Sequence, residues 1–282
     1  YSGDSYTTYY TDENSLFDLS GEMPQILNYK YRVKVVCDGD DTESDYTTFD
    51  ASKTISDKTK DIYANIGSTT VNGLSTWNSI SVWYRMSSTS GRSCTYGFYR
   101  EAGSNDAWNM VASNELKNLT QGKTYEIAGI SVESNIYYLC KNTINVHLVP
   151  DKPNEVRLDN TVIADNKRDL RIYYPYYVGK NVTYTIERSE ADKDNYQVIG
   201  ENVPISDSYT YYTDENSLFD LSGAVPRMLS YKYRVKVVCD GVESDYATLD
   251  ASRTISDKTR EIYARARVYD GEVPEWSRVE IG

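Results

Sequence analysis

Only one histidine, His147, stands in the 282 residues, so any nucleophile that needs an imidazole base must be served by that side chain. It sits in Asn-Val-His-Leu-Val, alternating with Val146 and Leu148, which is the pattern of a strand face. Nothing beside it completes a nucleophile–base–carboxylate set, and no catalytic residue is expected. The four cysteines, Cys37, Cys94, Cys140 and Cys239, show no Cys-x-x-Cys or Cys/His spacing of a zinc site. They are also too few for a disulfide-dense scaffold. Acidic oxygens cluster in DGDDTE at 38–43, as a hard cation would want, but without the spacing of an EF-hand loop. The corresponding stretch at 240–243 is only DGVE. A solvated turn is the expectation, with no metal and no cofactor. No glycine-rich phosphate loop exists. Asn118-Leu-Thr and Asn181-Val-Thr fit the glycosylation pattern, which is common by chance.

What does stand out is repetition. YYTDENSLFDLSG occurs at Tyr9–Gly21 and again at Tyr211–Gly223. YKYRVKVVCDG follows each copy, at Tyr29–Gly39 and Tyr231–Gly241, and ISDKT recurs at 55–59 and 255–259. The period is about 200 residues, a long internal repeat. Within it, Tyr9, Tyr10, Leu16, Phe17 and their counterparts Tyr211, Tyr212, Leu218, Phe219 are aromatic or apolar and rimmed by Asp and Glu. That composition suits a protein-binding patch. The competing reading is that the segment plugs one end of a core.

The chain carries 42 acidic and 30 basic residues, a formal charge of −12. Nucleic acid and anionic membranes are excluded as expected partners, because phosphate binding needs clustered Lys and Arg. No run approaches the ~18 apolar residues of a membrane span, so no membrane insertion is expected. The chain opens without a basic leader and apolar run, so a secretion signal is not expected within it. Tyrosine is abundant, 28 against 4 phenylalanines. It suits half-buried strands and rigid contact surfaces alike.

The elements that must position these residues are strands. Tyr29, Tyr31, Val33, Val35 and Cys37 alternate with Lys30, Arg32 and Lys34, which predicts a half-buried antiparallel strand with both Cys37 and Cys239 facing inward as buried thiols. In DENSLFDLSG, Asp12 can cap a helix, Leu16 and Leu19 are three apart, Gly21 can end a turn and Pro24 follows. A short helical turn is predicted there. Further strands are expected at 77–86, 94–102, 106–114, 116–133 and 142–149, and at 155–162, 169–177, 182–190, 196–203, 209–214, 231–240 and 244–255. Short strands separated by turn residues predict an all-β fold of antiparallel sandwiches.

Strand, loop, Tyr-x-Tyr-Arg-Val-x-Val-Val, turn and closing strand resembles the later part of a fibronectin type III-like sandwich. LKNLTQGKTYEIAGISVE at 116–133 carries the resemblance best, with Leu119, Gly122 and Tyr125 at the places of the short loop and tyrosine corner. The resemblance implies tandem domains: 1–55 as the later strands of one, 56–150 whole, 151–255 whole and repeating 1–55 in its later half, and 256–282 as a partial domain or a closing hairpin. SDKTREIYA near the end matches SDKTKDIYA in the middle, so the chain is expected to start and stop inside repeats. The helical turn reads as an insertion before the corner of the repeated domain. The implied topology also places Cys94 and Cys140 at one end of a sandwich on adjacent strands, making them the candidate disulfide pair.

Nearly identical Tyr-rich repeats of this type resemble bacterial cell-surface adhesins and, loosely, commensal immunoglobulin-binding superantigens. The implied function is a non-enzymatic extracellular or surface-attached binding module. Its partner would be a host extracellular protein such as immunoglobulin, bound through the repeated Tyr-rich segment. A carbohydrate-binding module and a structural spacer are the alternatives. Trp77, Trp83, Trp108 and Trp276 are scattered, which reads as core and not as a sugar platform.

Overall fold

The computed structural model describes residues 9–12, 16–37, 39, 42–85, 91–159, 167–174, 179–206, 208–215 and 219–251, with the backbone of Ala264–Tyr269 and Glu275–Ile281. All regular structure among them is β. Two sheets enclose the first core. Glu115–Leu116, Leu74–Arg85 and Ile62–Val71 lie side by side in one. Asn109–Val111, Tyr96–Glu101 and Thr124–Glu133 form the other, with Ile136–Leu139 and Ile144–His147 both paired along Thr124–Glu133. Alternate residues of Leu74–Arg85 point inward, and Ile80, Val82 and Tyr84 meet Leu116, Ile127 and Leu148 between the sheets. Tyr125 makes the expected corner, its hydroxyl accepting the Thr120 N–H at 2.9 Å.

The second core lies between two sheets of corresponding strand order. Tyr209–Asp214, Arg168–Tyr173 and Glu155–Leu158 form one sheet. Gln197–Pro204, Val182–Glu190, Tyr231–Cys239 and Ala247–Asp250 form the other. Tyr231, Tyr233, Val235, Val237 and Cys239 all face in, as period-two alternation demands. Shared strand order and a core between antiparallel sheets define an all-β, fibronectin type III-like sandwich.

The helical turn expected in the repeated segment is not seen. Phe17–Asp18 pairs antiparallel with Gln25–Ile26, and Phe219–Asp220 with Arg227–Met228. The Asp18 carboxylate accepts the Ser20 N–H at 3.0 Å and hydroxyl at 2.7 Å, and Asp220 does the same for Ser222 at 3.0 and 2.6 Å. Such side-chain-to-backbone bonds offer the chain an alternative to helix, and a small hairpin results.

The identical YKYRVKVVC strands differ in burial. Val235 is wholly buried, whereas Val33 is 65 % exposed. Among the described residues Lys30–Val33 pairs with Thr47–Asp50, and no described strand covers its inward face as Arg168–Tyr173 and its sheet cover the second copy. For that reason Cys37 is exposed and not buried as the alternation implied, while Cys239 is buried. Cys94 and Cys140 are both free, buried thiols. Cys94 packs with Val82 and Leu116, Cys140 with Phe98 and Trp108. Burial pushes the Cys94 thiol up to about 12 and raises those of Cys140 and Cys239, which suppresses the reactive thiolate. Iodoacetamide on the native chain should therefore label Cys37 first, with the other three modified only after denaturant is added. Mass spectrometry of the peptides checks this, and equal labelling of Cys239 would show that its core opens.

Candidate functional site

The repeated Tyr-rich segment does not form one patch. Along Tyr209–Asp214 the side chains alternate, so Thr210, Tyr212 and Asp214 turn toward the core while Tyr209 and Tyr211 stand on the outer face. The Tyr212 hydroxyl donates to the Ile199 carbonyl. Its ring lies so close to Gly200 that a Cβ there would come within 2.7 Å. Tyr212 is thus a core residue, and glycine at 200 is what admits it. Phe219 is half-buried in the hairpin, and Leu218 lies outside the described residues. In the first copy, Tyr9 and Tyr10 are 89 % exposed, Leu16 is half-buried and Phe17 is buried. Phe17 sits edge-on to Tyr96 at 5.0 Å and to Phe98 at 5.1 Å.

Around Tyr211, strand register assembles a cluster of tyrosine and arginine. Arg171 lies opposite Tyr211, and Tyr173 opposite Tyr209. The Tyr209 and Tyr211 rings meet edge to face at 5.0 Å, with Tyr173 5.9 Å from Tyr209. The Arg171 guanidinium is 4.9 Å from the Tyr209 ring centre and 5.0 Å from that of Tyr211, inside cation–π range. Its Nη2 donates to the Tyr211 hydroxyl at 2.6 Å and to Asp159 at 3.0 Å, and its Nη1 to the Tyr173 hydroxyl at 3.2 Å. Arg157 lies 5.5 Å from the Tyr173 ring and pairs with Glu155. Arg157 also faces Arg171 across the strands, a like-charge pair that Glu155 and Asp159 offset.

The electrostatics hold this cluster in one protonation state. Arg171 is raised above its ordinary range by the Tyr173 hydroxyl and then by Asp159, so the cation is secure. Tyr211 is raised by desolvation and by Tyr209, so its phenol stays a neutral donor and acceptor. The outer face can offer rigid aromatic surface, a fixed cation and phenolic hydrogen bonds, with no nucleophile or proton relay. The sequence marks 155–162 and 169–177 only as strands and does not single out Arg157, Asp159, Arg171 or Tyr173. The alternation of Leu170 and Ile172 implied that Arg171 and Tyr173 face outward, but only the register brings them to Tyr211.

Other chemistry-bearing residues are accounted for structurally. His147 is exposed, with Nε2 3.3 Å from the Gly122 carbonyl oxygen. Asn181, the second sequon asparagine, is engaged: its Nδ2 donates to the Ser75 carbonyl at 2.9 Å and to Asp240 at 2.7 Å, while its oxygen accepts the Ser75 N–H at 2.9 Å. Among the described residues no group of three or more His, Cys, Asp or Glu could hold a metal ion; Asp38, Asp40 and Asp41 of the acidic turn at 38–43 lie outside them.

No family model matches the chain, and no curated protein matches it. Among solved structures it is similar to the FN1–FN3 domains of chicken CNTN1, at 13 % identity over 79 % of this chain and 78 % of that one, with a TM-score of 0.24. A score that low carries no argument, and the strand pairings themselves set the class: an all-β protein of fibronectin type III-like sandwiches with an aromatic–arginine face on one three-stranded sheet.

Proposed function

We propose that the chain is a non-enzymatic binding segment of a bacterial surface protein, adhesin-like and extracellular. Its sandwiches are read as tandem units over 56–150 and 151–255, flanked by the partial units 1–55 and 256–282. The observation that carries the binding role is the outward Tyr173–Tyr209–Tyr211 cluster braced by Arg171. Tyr and Arg are the residues that dominate protein interfaces. These are already held by one another, so little side-chain entropy remains to be lost on binding. The rings of Tyr209 and Tyr211 stand at 82° and so offer no flat platform for a sugar ring. That geometry favours a protein partner over a glycan. A host immunoglobulin is the partner class to try first, on the resemblance of the repeats.

The experiment is surface plasmon resonance of the immobilised chain against human immunoglobulin Fab and Fc fragments. Retention is expected for one fragment, weakened about 30-fold or more by Y211A or R171A with little change in melting temperature. No retention, or retention that ignores both substitutions, overturns the reading. Selective hits on a glycan array in place of protein binding would move the function to carbohydrate recognition.

A further inference from the structure

The hairpin around Phe17 is seated on a neighbouring sheet. Its outer residues lie against the sheet of Tyr96–Glu101, Asn109–Val111 and Thr124–Glu133: Phe17 joins Phe98, Trp108 and Cys140 in one buried cluster, with Leu16, Leu19, Met23 and Ile26 at its margin. The sheet's donors reach hairpin backbone. The Trp108 N–H donates to the Leu19 carbonyl at 2.9 Å and its indole N–H to the Gly21 carbonyl at 3.1 Å. Arg100 lies 4.4 Å from the Trp108 ring and donates to the Gly21 and Glu22 carbonyls, each at 3.3 Å. A clasp read through its carbonyls tolerates changes in side chain wherever the apolar positions are kept.

The second hairpin meets that condition. LFDLSGAVPRML at 218–229 keeps every apolar position of LFDLSGEMPQIL at 16–27, and it repeats both the strand register and the Asp–Ser turn. Its surroundings differ. Leu221 is 63 % and Val225 77 % exposed, whereas their counterparts Leu19 and Met23 are half-buried, and Pro226 is exposed where Pro24 is buried.

We propose that the Phe219–Leu229 hairpin is a second clasp, and that its partner is the Tyr96–Phe98–Arg100–Trp108 sheet face of a second copy of this chain, available once that copy's own first hairpin is withdrawn. The receptor is argued from the first copy, where the same backbone turn is seated on that face. Tethering would suppress exchange in the intact chain, because the first hairpin competes at an effective concentration of roughly millimolar. This inference stands on residues other than the Tyr211 cluster and does not depend on it.

The test is sedimentation velocity of the full chain carrying Phe17→Ser, which weakens the resident hairpin. The wild type is expected to be monomeric and F17S to dimerise. Adding Leu221→Ser and Val225→Ser should weaken that dimer roughly tenfold or more. The milder Phe17→Leu keeps an apolar side chain in the cluster and covers the case in which F17S does not fold. It should dimerise less strongly, with the same dependence on Leu221 and Val225. Folded F17S and F17L chains that both stay monomeric, or dimers indifferent to Leu221 and Val225, overturn the proposal.

Discussion

Replacing Asp214 with alanine is expected to cost the chain about 3–5 kcal/mol, the loss that follows when one partner of a buried ion pair is removed. Asp214 is buried at the end of its strand. It accepts Arg188 Nη1 at 2.6 Å and the Tyr233 hydroxyl at 2.7 Å. Arg168 lies opposite it in register and is wholly buried, with no hydrogen-bond acceptor for its side-chain nitrogens among the described residues. Without the carboxylate, the Arg168 guanidinium and the Tyr233 phenol would remain in the core beside no anion, and the half-buried Arg188 would lose its ion-pair partner. The Tyr233 phenol is held well above its usual range by burial and by Asp214. The repeat supplies an internal control. Asp12 accepts the Tyr31 hydroxyl at 2.8 Å in the same way, yet that pair is only partly buried, and water can replace the lost bond. Asp12→Ala should cost about 1 kcal/mol or less. Urea unfolding followed by tryptophan fluorescence measures both, and equal losses would show that burial is not what makes the bond at Asp214 matter.

The same comparison shows what was legible in the sequence. Alternation in YKYRVKVVC predicted the strand in both copies, because side-chain period follows from the backbone. It could not predict that Val33 and Cys37 would be exposed while Val235 and Cys239 are buried, because burial depends on what faces the strand. Leu16 and Leu19 mimicked helical spacing, but the Asp18–Ser20 bonds decide that turn, and they favour a hairpin. Tyr211 was found as a candidate from composition alone. Arg171 and Tyr173 were not, because the property that makes them partners is cross-strand register, which is set by the pairing of Arg168–Tyr173 with Tyr209–Asp214. Tyr212 and Phe17 face inward for a related reason: neighbours in sequence point to opposite faces of a strand, and the two copies meet different surroundings.

Trp77→Ala carries the other large expected effect, again about 3–5 kcal/mol, and its consequence should be visible in the shape of the unfolding curve. Trp77 belongs by sequence to the Leu74–Arg85 strand of the first sandwich, yet its ring is buried in the second core with Leu170, Ile172, Tyr184 and Val237. Its indole N–H donates to Asp151 at 3.2 Å and its backbone N–H to Gln121 at 2.9 Å, while Gln121 donates in turn to the Cys239 carbonyl at 2.9 Å. Ser75 and Asn181 bond beside it, and a Cβ on Gly179 would come within 2.4 Å of the Ser75 nitrogen, so backbone approaches backbone there. One side chain therefore fills a cavity in the neighbouring core and anchors a ring of polar bonds around it. Removing it leaves a void that those bonds cannot close, because they hold the surrounding backbone in place. The wild type should melt in a single transition. W77A should separate into two, with the lower one belonging to the core of Leu170 and Val237. Trp77→Phe, which keeps an aromatic ring but loses the indole donor, should fall between them. Scanning calorimetry distinguishes these outcomes, and a single unshifted transition for W77A would mean that the two cores are coupled through something other than this ring.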